Sequence, residues 1–512
     1  MKNITRSLVD LLGAEYMQAV KNVAVNINGM DPAEVDALIN EKVDFFPADY
    51  VKRAEDLAAK TGTKVVDAFD NQLVGAPTDS FRKATNFNAA PIGGCGVSRI
   101  GQDGRVYMVA KSEHYHTPLG HNFPAFKLIT NARRLGILNA THNNTRGYIT
   151  RLMEQRVIAA ANGVEMGSPE LAAVLESKEP CVLNRVINLQ TGSLAVEAAI
   201  KMMLSRFYRA EETAPAPKYE GKIPVFLVME DDLEGKLANY HGTTIFAQTL
   251  RGMWPGFYAK CEESEIYKIV TVKKNDLADF EAKIKKYNEG KYKTAGFMHE
   301  IILMNYAAIQ LSVDFLQNAY KLCHEYDTFT LSDEIQSCMW YEGMFLFKQY
   351  GLPADFVIIG KGFPGDEYAA SKVICTAEAD SLSQFGALVT NGQEELASLA
   401  YIITMEFVAN NGAEVAAMGK KVEEGVAKLA AEYPELLDAP AGLGHMTAFH
   451  FHCPEKAAAF NKAMNAKCFD VSSQIHKAEC PPTVLLKLPL VTTEPMLNVL
   501  LAKAKETLEE LK

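Results

Sequence analysis

Four short apolar runs in the middle of the chain, separated by helical patterns, restrict its fold more than any other feature. They are "IPVFLVM" (223–229), "TAGFMHEIILM" (294–304), "TFTLSDE" (328–334) and "DFVIIG" (355–360). Runs this short and this uniformly apolar predict strands buried on both faces, and segments such as "VDFLQNAYKLCHEY" supply the covering helices. The expectation is a largely parallel α/β sheet. Ligands of such sheets bind at the carboxyl ends of the strands, so polar residues there are the first candidates for function.

Two stand out. "DFVIIGKGFPG" ends a strand with Lys361 held between two glycines, and "LSDEIQS" ends another with Asp333. The separation, 361 − 333 = 28 residues, leaves room for a helix and a strand, so both groups can stand on one sheet edge. An amine that binds an aldehyde and an acid that keeps a ring nitrogen protonated are what pyridoxal phosphate chemistry requires. Glycines beside the lysine allow close backbone approach. Taken alone, a strand-end aspartate and a turn lysine are commonplace.

Three further stretches add weight. In "NLQTGSLAVEAAIKMM" (188–203), Gly192 and Ser193 open a strong helix, and a helix N-terminus with free N–H groups and a hydroxyl suits a phosphate. "NYHGTTIFAQTLRG" (239–252) offers Tyr240, a ring able to stack on a planar cofactor, ahead of a glycine turn. "PLGHNFPAF" (118–126) is a Gly-His turn before a helix. Each has a plain structural reading as a cap, a core tyrosine or a turn.

In order, from Gly120 to Gly362, these stretches resemble the class-III aminotransferases, pyridoxal-phosphate enzymes of fold type I. The resemblance runs from about residue 95 to the C-terminus. It implies that Lys361 is the Schiff-base lysine and Asp333 the partner of the pyridine nitrogen. It implies that Gln336 lies near the cofactor hydroxyl, Gly192 and Ser193 form the phosphate cup, and Tyr240 is the stacking ring. A threonine from a second subunit also reaches the phosphate in this family; Thr390 in "ALVTNGQEE" is the nearest match. A homodimer is implied on the same ground.

The implied fold is a large, mostly parallel cofactor domain over 125–385, with a smaller α+β domain from both chain ends (1–124 and 386–512). Residues 1–90 read as mainly helical and match nothing in the family pattern. "GVSRIGQDGRVYMVA" reads as two strands about a turn, and "TEPMLNVLLAKAKETLEELK" as an amphipathic closing helix.

The chain also departs from the family. "HEIILMNYAA" keeps Glu300 but has Ile301 for a proline and Asn305 near a second glutamate that serves dual-substrate recognition. "TVLLKLPLVTT" has Lys487 where many members carry a carboxylate-binding arginine; it reads as an exposed strand-end residue, the alternative being a point charge that binds carboxylate. Asp366 and Glu367 follow the lysine where small neutral residues are usual; they read as solvated loop charges or as an attraction for a cationic substrate.

The net charge of 52 − 63 = −11 disfavours nucleic acid or an anionic membrane surface as partner. No run approaches the ~18 apolar residues of a membrane span. Nine scattered cysteines without a C-x-x-C pair fit reduced thiols, and the N-terminus lacks a signal-peptide core, so a cytoplasmic enzyme is expected. No metal is expected: His114 and His116 in "EHYHTPLGH" alternate as on a strand, and His121 belongs to the Gly-His turn.

The expected reaction is amino transfer from an amino acid, with a diamino acid such as lysine or ornithine favoured, to a 2-oxo acid. The alternatives are a racemase, aminomutase or lyase of the same fold, or a non-catalytic paralogue.

Overall fold

The computed structural model describes residues 1–71, 73–139, 145–230, 240, 242–390, 392, 394–475 and 480–512. Its centre is a seven-stranded sheet: β1 (Leu183–Leu189), β2 (Ile223–Met229), β3 (Lys268–Val272), β4 (Tyr292–His299), β5 (Phe329–Asp333), β6 (Phe356–Ile359) and β7 (Ser371–Thr376). The strand order is β1-β7-β6-β5-β4-β2-β3. Neighbours pair in parallel from β6 through β3, while β7 runs antiparallel to both β6 and β1. The largely parallel sheet read from the sequence is therefore correct.

Burial explains why these segments are uniformly apolar. Within β2, Val225, Leu227 and Met229 belong to one core cluster while Phe226 and Val228 belong to another. The sheet is thus covered on both sides. On the second side the helix Gly192–Leu204 buries Ala195, Val196, Ala199, Ile200, Met202 and Met203.

Two local expectations change. "TAGFMHEIILM" is not one strand: β4 stops at His299, and Ile302–Leu303 pairs instead with Ile309–Gln310. The chain turns where Glu300 leaves the sheet edge. His114 and His116 do not alternate on a strand either. His114 sits in a tight turn, Ser112–Tyr115, and His116 directly after it; the turn has left-handed φ values of 50° at Ser112, 56° at Glu113 and 64° at Tyr115. Such backbone persists only when its surroundings hold it. Here Glu113 bridges His121 Nε2 at 2.9 Å and Arg99.

A second, antiparallel sheet lies late in the chain: β8 (Ala441–Leu443), β9 (Met446–His450), β10 (Ser472–Gln474) and β11 (Thr483–Leu485), in the order β8-β9-β11-β10. The strands Ser98–Gly101 and Val106–Met108 pair about the expected turn. The helical reading of residues 1–90 holds as far as residue 58, with helices Leu8–Leu12, Ala14–Asn26, Pro32–Asn40 and Ala48–Ala58; beyond it, among the described residues up to 90, only Asp79–Ala84 is helical. The amino end packs against residues 406–411. The Lys2 backbone N–H donates to Asn411 Oδ1 at 2.6 Å, and Arg6 Nε to Glu406 Oε1 at 2.9 Å. The closing helix is Glu494–Glu510, with proline in its first turn.

Candidate active site

A cavity of about 290 Å³ opens at the carboxyl edge of β1, β4, β5 and β6. The parallel strands deliver its walls directly. β1 leads into Thr191, Gly192 and Ser193; β4 into Glu300; β5 ends at Asp333, followed by Gln336; and β6 leads through Gly360 to Lys361. His116 and Tyr368 complete the rim. Lys361, Asp333, Gln336, Gly192 and Ser193 are thus brought together, as the sequence suggested. Lys361 adopts φ 42°, a left-handed turn directly after the strand.

Asp333 is buried and well held. Its Oδ2 accepts from the Tyr240 hydroxyl at 3.1 Å, and its Oδ1 from the Ile335 N–H at 3.0 Å. Burial pushes the carboxyl up, against the pull of these bonds and of Lys361. The same burial lowers the Lys361 amine to about 8, despite Glu300 and Asp333 nearby. Glu300 is driven upward by burial and by the Asp333 charge. The charge on each of these three groups bears on the protonation of the others.

Tyr240 does not line the cavity. It is fully buried and meets the site through its hydroxyl, because a buried phenol needs a partner and the nearest is Asp333. Thr390 is exposed and outside this cavity within the chain.

The helix Gly192–Leu204 has no side-chain cap on its first turn, which leaves its N–H groups facing the cavity rim. A Cβ on Gly192 would come within 2.4 Å of Ile335 Cδ1, so a larger residue there would push the Ile335 side chain aside where the cup meets the strand-end loop. Ser193 Oγ accepts from Thr243 N–H at 3.0 Å and from the Thr243 hydroxyl at 2.9 Å. Thr243, three residues past the tyrosine, was missed by sequence reasoning; its "HGTT" setting was the available signal.

Lys487 corrects an expectation. It is fully buried, not exposed. Its Nζ donates to the Tyr115 carbonyl at 2.8 Å and lies 3.7 Å from the centre of the Trp340 ring. Burial and the neighbouring Lys361 charge hold its amine well below the ordinary lysine range. Among the described residues it forms no salt bridge. Asp366 is exposed as read, yet its Oδ1 lies 2.7 Å from His116 Nε2 and its Oδ2 accepts from Thr117 Oγ1 at 3.0 Å.

Comparison with known proteins decides the family. The model of "Aminotransferase class-III" matches residues 82–470. The chain belongs to the class-III aminotransferases. It is 25% identical over 388 residues to a putrescine aminotransferase of Pectobacterium atrosepticum, covering 73% of this chain and 77% of that one. It is 22% identical over 376 residues to an acetylornithine aminotransferase of Prochlorococcus marinus subsp. pastoris, covering 71% and 85%. The crystal structure of adenosylmethionine-8-amino-7-oxononanoate aminotransferase from Methanocaldococcus jannaschii superposes with a TM-score of 0.64, at 18% identity, over 89% of this chain and 98% of that one. The protein is therefore a pyridoxal-phosphate-dependent aminotransferase of fold type I.

The site fits that cofactor. The buried Gln336 Oε1 and Glu300 Oε2 have no hydrogen-bond partner among the described residues, polar atoms left for a ligand. The glycine-opened helix offers N–H donors to a phosphate, and Lys361 and Asp333 supply the amine and the acid.

Proposed function

We propose that the chain moves an amino group from a diamine or diamino acid to a 2-oxo acid, working as a cytoplasmic homodimer. The observation that carries this reading is the single cavity uniting Lys361, Asp333, Glu300 and the Gly192–Ser193 helix start, in a chain of this family.

Pyridoxal phosphate, when bound, supplies an electron sink for charge developing on the substrate carbon. Lys361 would hold it, and Asp333 would face its ring nitrogen. A cation there favours the charged form of Asp333, against the burial that raises it. Tyr240 and the Ile335 N–H keep the carboxylate oriented. Gln336 would face the ring hydroxyl, while Gly192, Ser193 and Thr243 would take the phosphate; Thr390 of a second copy is the further candidate there. The Lys361 amine, with its proton affinity lowered, would remove the proton from the carbon that carries the amino group.

The preference for a second amino group rests on acidic residues. Glu300 lines the cavity with one oxygen unpartnered among the described residues, and Asp366 and Glu367 stand exposed beyond Lys361. The relatives that act on putrescine and acetylornithine point the same way. Localisation in a reducing compartment is supported by the nine scattered cysteines without a C-x-x-C pair, a pattern that fits reduced thiols.

The test is a screen of putrescine, cadaverine, ornithine, lysine and matched monoamines with pyruvate or 2-oxoglutarate. The expected result is amine consumption that requires the oxo acid, with one amino acid formed per amine lost and diamines preferred. Product formed without any oxo acid would point to a lyase or racemase. Protein that fails to take up cofactor would leave only a non-catalytic role.

A further inference from the structure

The opposite edge of the sheet carries a second cluster, outside the cofactor site. Cys181 lies just before β1, His324 at the end of the helix Val313–Glu325 that leads to β5, and Asp355 just before β6. All three sit at the amino edge of the parallel strands. His324 Nε2 is 3.7 Å from Cys181 Sγ and 3.5 Å from Asp355 Oδ2, and the three donor atoms lie within 4.8 Å of one another.

His324 can pair with Asp355 as an ion pair or with Cys181 through a sulfur hydrogen bond, but one ring nitrogen carries at most one hydrogen and cannot donate to both neighbours at once. The 3.5 Å separation from Asp355 Oδ2 is also long for a good N–H···O bond. The two separations do match the edges of a metal tetrahedron. Zinc bonds of about 2.3 Å to sulfur and about 2.0–2.2 Å to nitrogen and oxygen put ligand atoms about 3.3–3.6 Å apart. Two further observations concern the ligands. Cys181 has φ 61°, a left-handed conformation that a non-glycine residue keeps only when held there. Asp355 Oδ2 accepts from the Thr330 N–H at 2.8 Å and from the Thr330 hydroxyl at 2.9 Å, the kind of outer support that orients a ligating carboxylate.

We propose that Cys181, His324 and Asp355 form a binding site for one zinc-like divalent ion, with a fourth position left to water. Thiolate, imidazole and carboxylate together favour zinc or cobalt over magnesium or calcium. The ion would tie together three segments that enter the sheet at its amino edge, far along the strands from the transamination cavity. Binding requires the thiol to lose its proton, so affinity rises with pH.

The test uses the full-length protein with its cofactor, stripped with a chelator and titrated with Co²⁺. The expected result is one ion per chain, with tetrahedral d–d bands at longer wavelength than the cofactor absorbs and a thiolate charge-transfer band. Cys181→Ser removes the charge-transfer band while transamination continues. Thr330→Val weakens binding about 10–100-fold. As a check on unsubstituted protein, Zn²⁺ slows iodoacetamide modification of Cys181 but not of Cys95 or Cys453, which are also half-buried. Absence of stoichiometric binding, bands that survive Cys181→Ser, or unprotected Cys181 would each overturn the proposal and leave the transaminase reading untouched.

Discussion

At the scale of single residues, the site's chemistry depends on how burial redistributes protons among Lys361, Asp333 and Glu300. A neutral amine is the nucleophile, and a pKa lowered to about 8 means the neutral fraction grows as pH rises through that value. Capture of pyridoxal phosphate by cofactor-free protein should therefore accelerate through about pH 8, well before the ordinary lysine range; stopped-flow absorbance checks this. Lys361→Ala should lower turnover by about 10²–10⁴-fold or more. Tyr240→Phe tests the support of Asp333. The Tyr240 bond favours the carboxylate, so its loss raises the Asp333 pKa further. The acid limb of the kcat/KM profile should move to higher pH. Asp333 and Lys361 were legible in the sequence only together with the Gly192–Ser193 helix start and the Tyr240 stretch, since a strand-end aspartate and a turn lysine are commonplace by themselves. Lys487 was not: nothing in "TVLLKLPL" says that Trp340, over a hundred residues earlier, will cover it. The role of the Tyr240 hydroxyl was equally hidden, since it depends on where β5 ends relative to a distant loop.

At the scale of elements, two joints carry unusual demands. The helix Tyr148–Asn162 begins at Gly147 without a side-chain cap of its own. Glu395, at the start of the helix Glu395–Ala409, fills that role from a distance: its Oε2 accepts from Ile149 N–H at 2.9 Å and its Oε1 from Thr150 N–H at 3.2 Å. A buried carboxylate at a helix N-terminus also meets the favourable end of the dipole. Glu395→Ala should destabilise the protein by about 1–3 kcal/mol, seen as a lower melting temperature with cofactor saturating. The second joint is Gly362. A Cβ there would come within 2.3 Å of Trp340 Cζ3, a rigid ring that cannot step aside. Gly362→Ala should cost about 1–3 kcal/mol and weaken cofactor retention, measured by equilibrium dialysis. β2, β4, β5 and β6 were readable because burial on both faces leaves one composition, whereas β1 and β3, with several half-buried positions, were not named. β7 was not singled out: an antiparallel strand among parallel ones differs in direction, and direction leaves no mark on "SKVICT".

At the scale of the whole molecule, the first sixty residues are part of the main core. Leu8, Leu11, Leu12, Met17, Val35, Leu38 and Ile39 are all buried in the same cluster as Leu497, Leu500 and Leu508 of the closing helix. A chain lacking residues 1–58 should expose that surface, bind a hydrophobic dye and aggregate; light scattering on heating distinguishes it from the full chain. The sequence showed these residues to be helical but not where they dock, because an amphipathic face names no partner. Arg6 offers a milder probe. It shares Glu406 with Arg156.

The meeting of Lys2 with Asn411, 409 positions apart, has a consequence for biosynthesis. A ribosome adding about 5–20 residues per second releases the second partner roughly 20–80 s after the first. Throughout that interval the nascent amino end has only its nearer partners, such as Tyr148 stacked on Tyr16, and the surface that docks on residues 406–411 stands open to whatever holdase the cell provides.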